Sequence, residues 1–399
     1  MLDIREVRKL FPAASERTYL DSASMGLVST RTADALHRLV QLATHPPQGH
    51  TGEQHMRLAN LREAARPALA RYLNTETASI ALVENTSQGL SLAAAAIPLR
   101  AGDNVVLVSS DYLQTALPWA RRRRRDGIEL RFLEPCNGRI SLDSVAERMD
   151  SRTRVLCISS LQWTSGQRLD LQGLGQLVRE AGAWLVVDGA QHVGSVRFDL
   201  ARTPVDFLAC SGHKWLNSPF GAGFLYVGPR AAEELEPPMA GFLSAHPPPG
   251  GWGSYFADPM ASAQDILEFP RNALPWESGG TPNFPGAVAL HASVKLLLEL
   301  GPEAVEAHIL ELSGRLQEGL AELGAEVVTP REPGQRGGIV SFHWGAGIGD
   351  ERAAWSALQD AGVQLSLRYG GGIGGLRAAV HLYNDESDVD RLLEELRLL

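Results

Sequence analysis

The stretch Asp206-Phe-Leu-Ala-Cys-Ser-Gly-His-Lys-Trp-Leu-Asn-Ser-Pro-Phe-Gly-Ala-Gly-Phe-Leu-Tyr-Val227 decides the fold. Phe207 to Cys210 is an apolar run of strand length, and Gly223 to Val227 is another. Ser211-Gly-His-Lys and a glycine-rich turn separate them. Lys214 is thereby placed as a single amine at the mouth of a sheet, with a hydroxyl and an imidazole just before it. An amine in partly apolar surroundings loses its preference for the charged form and becomes a nucleophile toward carbonyl groups. A surface lysine that merely follows a strand is the competing reading.

A second stretch shifts the balance. Ala183-Trp-Leu-Val-Val-Asp-Gly-Ala-Gln-His192 reads as a buried strand ending in Asp188. The carboxylate then sits beyond a C-terminal strand end, where open α/β sheets gather their ligand contacts. Asp188-Gly-Ala-Gln followed by Ser211-Gly-His-Lys is the pair expected of a pyridoxal phosphate site. The aldehyde of that cofactor needs a lysine, and its pyridine nitrogen needs an anion that keeps it protonated. From Tyr19 to about Asn384 the chain resembles fold-type I pyridoxal phosphate enzymes of the class V aminotransferase group. That group includes cysteine desulfurases, cystine C–S lyases, isopenicillin N epimerase and kynureninase. The resemblance implies an α/β fold, a mostly parallel sheet of seven-stranded type between helices, with a smaller α+β C-terminal domain. Residues 17–262 would form the large domain, 1–16 with 285–399 the small one, and 263–284 the connection.

Composition agrees with this class. A length of 399 residues suits two domains, and 44% hydrophobic residues allow a sizeable core. The net charge of −9 argues against a nucleic-acid surface. The run Arg121 to Arg125 precedes Asp126-Gly and reads as a solvated helix ending, where cations suit the dipole. Cys136, Cys157 and Cys210 are odd in number and widely spaced, so neither a disulfide framework nor a metal site is expected. No apolar run reaches membrane-spanning length, and the first residues lack the apolar core of a signal peptide. The expectation is a cytoplasmic protein without membrane or nucleic-acid partners.

The remaining site residues are spread over separate segments. Helical spacing covers 3–12, 31–44 and 53–73, and Val105–Ser109 and Arg154–Ser159 read as strands. Thr18-Tyr-Leu-Asp-Ser-Ala-Ser-Met-Gly26 resembles the family's Tyr-Leu-Asp-x-Ala segment and puts Ala23 on the substrate side. In the loop Thr44–Gly52, relatives carry pocket residues, which points to His50; an exposed loop histidine is the alternative. Thr86 can cap an Ala/Leu-rich helix, and with Ser87 it opens an anion site for the cofactor phosphate. Asp111-Tyr-Leu-Gln-Thr-Ala-Leu-Pro-Trp119 resembles Glu-His-His-x-x-x-x-Pro-Trp, whose first His stacks on the pyridine ring. Tyr112 can keep the stacking role but not an acid/base role. Trp163 stands where desulfurases carry an Asn on the ring oxygen, and Gln191 could take over that contact. Ser211, His213 and Lys214 complete the cofactor set. Residues 240–262, with Trp252, Tyr255 and Phe256, read as a loop over the site. Trp276-Glu-Ser-Gly-Gly-Thr-Pro-Asn283 resembles a segment whose Thr reaches the phosphate of the other subunit, so Thr281 implies a homodimer with shared sites.

Leu376-Arg-Ala-Ala-Val-His-Leu-Tyr-Asn384 resembles Arg-x-Ser-x-x-x-Tyr-Asn, whose Arg holds the substrate α-carboxylate. Arg377 is the candidate, Arg368 a second one, and a strand-edge Arg paired with an acid the alternative. Gly370-x-Gly-x-x-Gly375 matches a dinucleotide motif by letters only, because a strand-like run follows where a helix is needed. Desulfurases place a cysteine a few residues after the position of Arg368. Here Tyr369-Gly-Gly-Gly-Ile-Gly-Gly375 fills that loop, and no cysteine follows Cys210. The leading expectation is a lyase, with Lys214 as general base and a sulfur-linked group leaving Cβ. An aminotransferase, an epimerase or a decarboxylation-linked deaminase would use the same residues. A non-catalytic pyridoxal phosphate module would have no use for Arg377.

Overall fold

In the computed structural model the two apolar runs that flank Lys214 pair as an antiparallel hairpin, Phe207 opposite Val227 and Ser211 opposite Gly223. The structure describes residues 2–399 other than Pro47, Gln48, His50, Ala263, Ile266 and Leu267. The hairpin belongs to a seven-stranded sheet: β1 (Ile80–Val83), β2 (Asn104–Val108), β3 (Glu129–Leu133), β4 (Thr153–Ser159), β5 (Trp184–Asp188), β6 (Phe207–Ser211) and β7 (Gly223–Val227). The spatial order is β1-β7-β6-β5-β4-β2-β3. Strand β7 runs antiparallel to both neighbours, and all other neighbours are parallel. Strands β5, β6 and β7 are buried throughout, as strands covered on both faces must be. The chain order reverses between β2 and β4, so the loops leaving these strands open a crevice at one sheet edge.

A second sheet of β8 (Glu326–Val327), β9 (Ile339–His343), β10 (Ser366–Gly370) and β11 (Ile373–Ala379) lies toward the C-terminus in the order β10-β11-β9-β8. Every pairing in it is antiparallel. The strand-like run that follows the Gly370–Gly375 segment is β11, which begins within that segment at Ile373 and ends at Ala379. Beyond it Asn384 Oδ1 accepts the His381 N–H at 2.8 Å and closes a turn. The segment Thr18–Tyr19 joins neither sheet. It pairs in parallel with Val363–Gln364, and Asp21 bridges to Ala379. Thus an N-terminal segment is carried to the C-terminal sheet.

Other departures from expectation have local causes. The 53–73 helix is two helices, Thr51–Glu63 and Ala65–Leu73, interrupted at Ala64. Helix Leu117–Asp126 ends at Gly127, whose φ of 71° suits glycine. Arg122 in its basic run is not solvated: it is buried and donates to the Ala94 and Ile97 carbonyls at the end of the preceding helix. The 240–262 stretch contains a short helix, Gly251–Ala257, whose Trp252 and Phe256 pack edge-on against Phe242. No single helix among the described residues is long and apolar enough to cross a membrane, and no His/Cys/Asp/Glu group among them could hold a metal ion.

One buried charge cluster ties the motif segment at 276–283 to the large sheet. Glu277 takes the guanidinium of Arg62, that of Arg66 at 2.7 Å, and the Leu82 N–H of β1 at 2.7 Å. Removing one partner leaves uncompensated buried charge. Glu277→Ala is expected to lower stability by about 3–5 kcal/mol in denaturant melts. Glu299→Ala, which removes an exposed partner of Arg31, should change it by less than about 1 kcal/mol.

Candidate active site

Three strand ends and one returning segment build the crevice. Strand β6 ends at Ser211, and the tight turn Gly212-His213 presents Lys214. A Cβ at Gly212 would stand 2.8 Å from the Ser218 Cβ, so the turn closes only with glycine there. The Lys214 amine makes no hydrogen bond among the described residues and lies 5.7 Å from the Tyr112 ring. Burial lowers its pKa and the nearby Arg377 charge lowers it further, against the opposing pull of Asp188. Strand β5 ends at Asp188, whose Oδ1 accepts the Ala190 N–H at 2.8 Å. Burial raises the Asp188 carboxyl, while that hydrogen bond and the Lys214 charge hold it down. Amine and carboxylate thus share a site with little water and are coupled electrostatically.

The helix expected to receive the cofactor phosphate is Thr86–Ala96. Its cap is Asn85, not Thr86: Asn85 Oδ1 accepts the Gln88 N–H at 2.9 Å. Thr86 is the first helical residue, and both its N–H and its hydroxyl meet Ser211 Oγ at 2.8 Å. Strand end and helix start are thereby locked together, with the Ser87 hydroxyl exposed beside them. Thr281 is exposed in a turn that is held by Leu243 N–H donating to the Gly279 carbonyl at 2.9 Å.

Around the amine, Tyr112 and Trp163 meet edge to face at 5.6 Å. The Trp163 indole N–H is committed to the Ser110 carbonyl at 2.8 Å. His213 stacks on Phe220 at 4.7 Å, and burial with the Lys214 charge lowers its pKa to about 4. The Gln191 side chain bridges two elements, donating to the Ala23 carbonyl at 2.9 Å and accepting the Trp215 indole N–H at 2.7 Å. An amide nitrogen carries two N–H groups, so one remains for a cofactor oxygen. Ala23 itself contributes backbone, not side chain, to this contact.

Arg377 is no strand-edge residue. It sits on the interior strand β11, opposite Ser341 on one side and Ser366 on the other, and is 2% exposed. Nη1 donates to the Trp163 carbonyl at 3.0 Å, Nη2 to Ser24 Oγ at 2.9 Å, and Asp21 Oδ1 lies 3.6 Å away. Nε has no partner among the described residues. Burial lowers the guanidinium pKa to about 10 against the Asp21 charge, so it stays cationic at neutral pH. Arg368 is exposed on β10, and its guanidinium donates to the Leu367 carbonyl at 2.9 Å. His50 lies outside the described residues.

Three residues of the site carry no signal of their own in the sequence. Asp21 and Ser24 belong to the 18–26 segment, but only the return of that segment to the C-terminal sheet shows them facing Arg377. Asp111 begins the Tyr112 segment. Its carboxylate is buried and accepts the Ser159 N–H at 2.8 Å and the Tyr112 N–H at 3.0 Å. It clamps the β2 loop, and so Tyr112, to the end of β4.

The residues fit pyridoxal phosphate on their own chemistry. They supply a desolvated amine with no hydrogen bond among the described residues, a buried anion beside it, an aromatic ring next to it and a helix start on one side. The chain belongs to the class V aminotransferase family, whose model matches residues 18–392. It is similar to a probable cysteine desulfurase of Pyrococcus abyssi, 28% identical over 99% of this chain and 97% of that protein. An isopenicillin N epimerase of Streptomyces clavuligerus is 31% identical over 84% of this chain and 83% of that protein. In fold it resembles the apo cysteine desulfurase of Thermococcus onnurineus NA1, with TM-score 0.85, 24% identity and coverage of 100% and 99% of the two chains. The cystine C–S lyase C-DES, solved with its product cysteine persulfide, matches with TM-score 0.84 and 24% identity over 97% of this chain and 98% of that one. The chain is therefore a pyridoxal phosphate-dependent enzyme of fold type I.

Asp111 gives a pH test. Burial raises its pKa from 3.8 to about 6, against the hydrogen bonds from Ser159 and Tyr112 and with a contribution from the Asp188 charge. Between those values the folded chain holds a proton that the unfolded chain has released. This contribution to stability is present at low pH and lost as pH rises through about 6. The stability of wild type relative to Asp111→Asn should therefore fall between pH 4 and pH 7 (the interval is about that of the two pKa values), as read from urea midpoints of both proteins. A gap that does not change with pH would contradict the raised pKa.

Proposed function

We propose that this chain cleaves the C–S bond of an S-substituted cysteine by β-elimination and forms no persulfide on itself. One observation carries the reading. The segment after Arg368 is a cysteine-free glycine hairpin, and Cys157 and Cys210 are buried within the large sheet. When bound, the cofactor supplies an electron sink for charge developing at the substrate Cα. Arg377 holds the α-carboxylate through its forked N–H groups. Lys214 would hold the cofactor aldehyde and would take the Cα proton on Nζ. Its lowered pKa keeps a larger neutral fraction for both tasks. Asp188 would keep a proton on the pyridine nitrogen. Thr86, Ser87 and Ser211 would hold the phosphate, Tyr112 would cover the ring, and Gln191 would offer its spare N–H to the ring oxygen. The thiolate leaves from Cβ, and the released three-carbon enamine hydrolyses to pyruvate and ammonia.

A persulfide-forming desulfurase is the second reading, favoured by the desulfurase relatives. Its acceptor would be Cys136, the exposed cysteine, in a turn whose Gly138 faces Ile373 at the end of the glycine hairpin. With an S-alkyl cysteine and no keto acid, elimination predicts sustained release of thiol, pyruvate and ammonia. With cysteine, the second reading predicts alanine and a persulfide mass on Cys136 that Cys136→Ser abolishes. Lys214→Ala should remove turnover and the visible absorbance of the lysine-linked cofactor. One turnover that stalls until a keto acid is added would instead define an aminotransferase.

The same reading places Thr281 against the partner's phosphate in a cytoplasmic homodimer. Sedimentation should give a dimer at working concentration, and an active monomer would remove the shared-site assignment.

A further inference from the structure

We propose that Tyr369 and Glu351 are positioning residues for substrate carboxylate binding, acting through the glycine hairpin that joins β10 to β11. The inference rests on Arg377 being the carboxylate clamp. It concerns a group of contacts that no catalytic step uses.

Glu351 lies in the first turn of helix Ile348–Asp360 and its side chain is 1% exposed. Each carboxylate oxygen takes one donor from the C-terminal sheet. Oε1 accepts from His343 Nδ1 at 2.7 Å, on β9, and Oε2 accepts from the Tyr369 hydroxyl, on β10. Nothing in this trio reaches the crevice directly. The trio instead anchors the start of the glycine hairpin.

The next residue, Gly370, turns the chain down onto the site. A Cβ placed there would stand 2.8 Å from the Ser110 carbonyl and 3.1 Å from Trp163 Cζ2. Gly371 also lies over Ser110, in a left-handed conformation with φ +58°. The hairpin therefore presses backbone onto Ser110 and the Trp163 indole. Trp163 is fixed from one side by its own N–H to the Ser110 carbonyl, and its carbonyl accepts from Arg377 Nη1 at 3.0 Å. A hairpin of three consecutive glycines has high intrinsic freedom, so its position depends on its ends. One end runs into β11, which carries Arg377. The other is Tyr369, held by Glu351. The hydroxyl–carboxylate bond thus keeps Trp163 seated, and Trp163 aims Arg377.

The measurement is the affinity of glycine, an amino acid with an α-carboxylate and no side chain, read by its change in cofactor absorbance. Tyr369→Phe removes one hydroxyl and keeps the ring. Loss of a hydrogen bond to a charged acceptor should weaken glycine binding by about tenfold, with the resting cofactor spectrum unchanged. On the best S-substituted cysteine, KM should rise while kcat stays within about twofold, the pattern of lost uniform binding. Glu351→Gln should weaken glycine at least as much; if it does not fold, Tyr369→Phe carries the test alone. Arg377→Lys separates the two claims. If it weakens glycine and Tyr369→Phe does not, the positioning role is overturned and the clamp stands. If it leaves glycine affinity unchanged, the clamp itself falls.

Discussion

An amine and a carboxylate held out of water at adjoining strand ends set the terms for the rest of this structure. Burial disfavours the charge on each of Lys214 and Asp188, and each charge makes the other easier to keep. Such a pair needs the surrounding backbone polar groups to be satisfied, as they are in this sheet. It also needs the strand ends to be fixed relative to one another. The Ser211–Thr86 contacts fix one side, and Asp111 fixes the other by tying the loop after β2 to the end of β4. The reversal of strand order between β2 and β4 then leaves a crevice over the pair rather than a packed face.

The two sheets meet this requirement differently. The large sheet supplies the reactive groups from consecutive strand ends, so their positions depend on sheet register. The C-terminal sheet supplies Arg377 from an interior strand, and the arginine's surroundings come from afar: Asp21 and Ser24 from the N-terminus, Trp163 from the loop after β4. A desolvated guanidinium with an unpartnered Nε is held by neutral acceptors and one carboxylate at 3.6 Å. That arrangement leaves it able to gain from an incoming carboxylate, which a tight ion pair would not.

The large sheet is legible in the sequence because its central strands are buried on both faces. Runs such as Trp184–Asp188 and Phe207–Ser211 are continuous in apolar residues and end sharply. Strand β3, Glu-Leu-Arg-Phe-Leu, escapes that reading, since an edge strand with polar and exposed positions lacks the signature. Lys214, Asp188 and Arg377 can be read because each sits in a distinctive local motif. Asp21, Ser24 and Asp111 cannot, because their roles depend on long-range pairing: of residue 21 with 379, and of the 111 loop with 159. The sequence points to Thr86 as the cap where Asn85 serves, a shift of one residue that sequence alone does not resolve.

The hairpin after Tyr369 also limits how this fold could change its chemistry. A thiol on this loop would meet a steric limit, because Gly370 has no room for any Cβ against the Ser110 carbonyl. Gly372 has space around it but a φ of +80°, where a side chain is strained. A cysteine grafted at 370 would push the loop off Ser110 and Trp163, and one at 372 would strain the turn. At these two glycines, therefore, a thiol cannot be gained by point substitution without displacing or straining the loop that bears on Trp163.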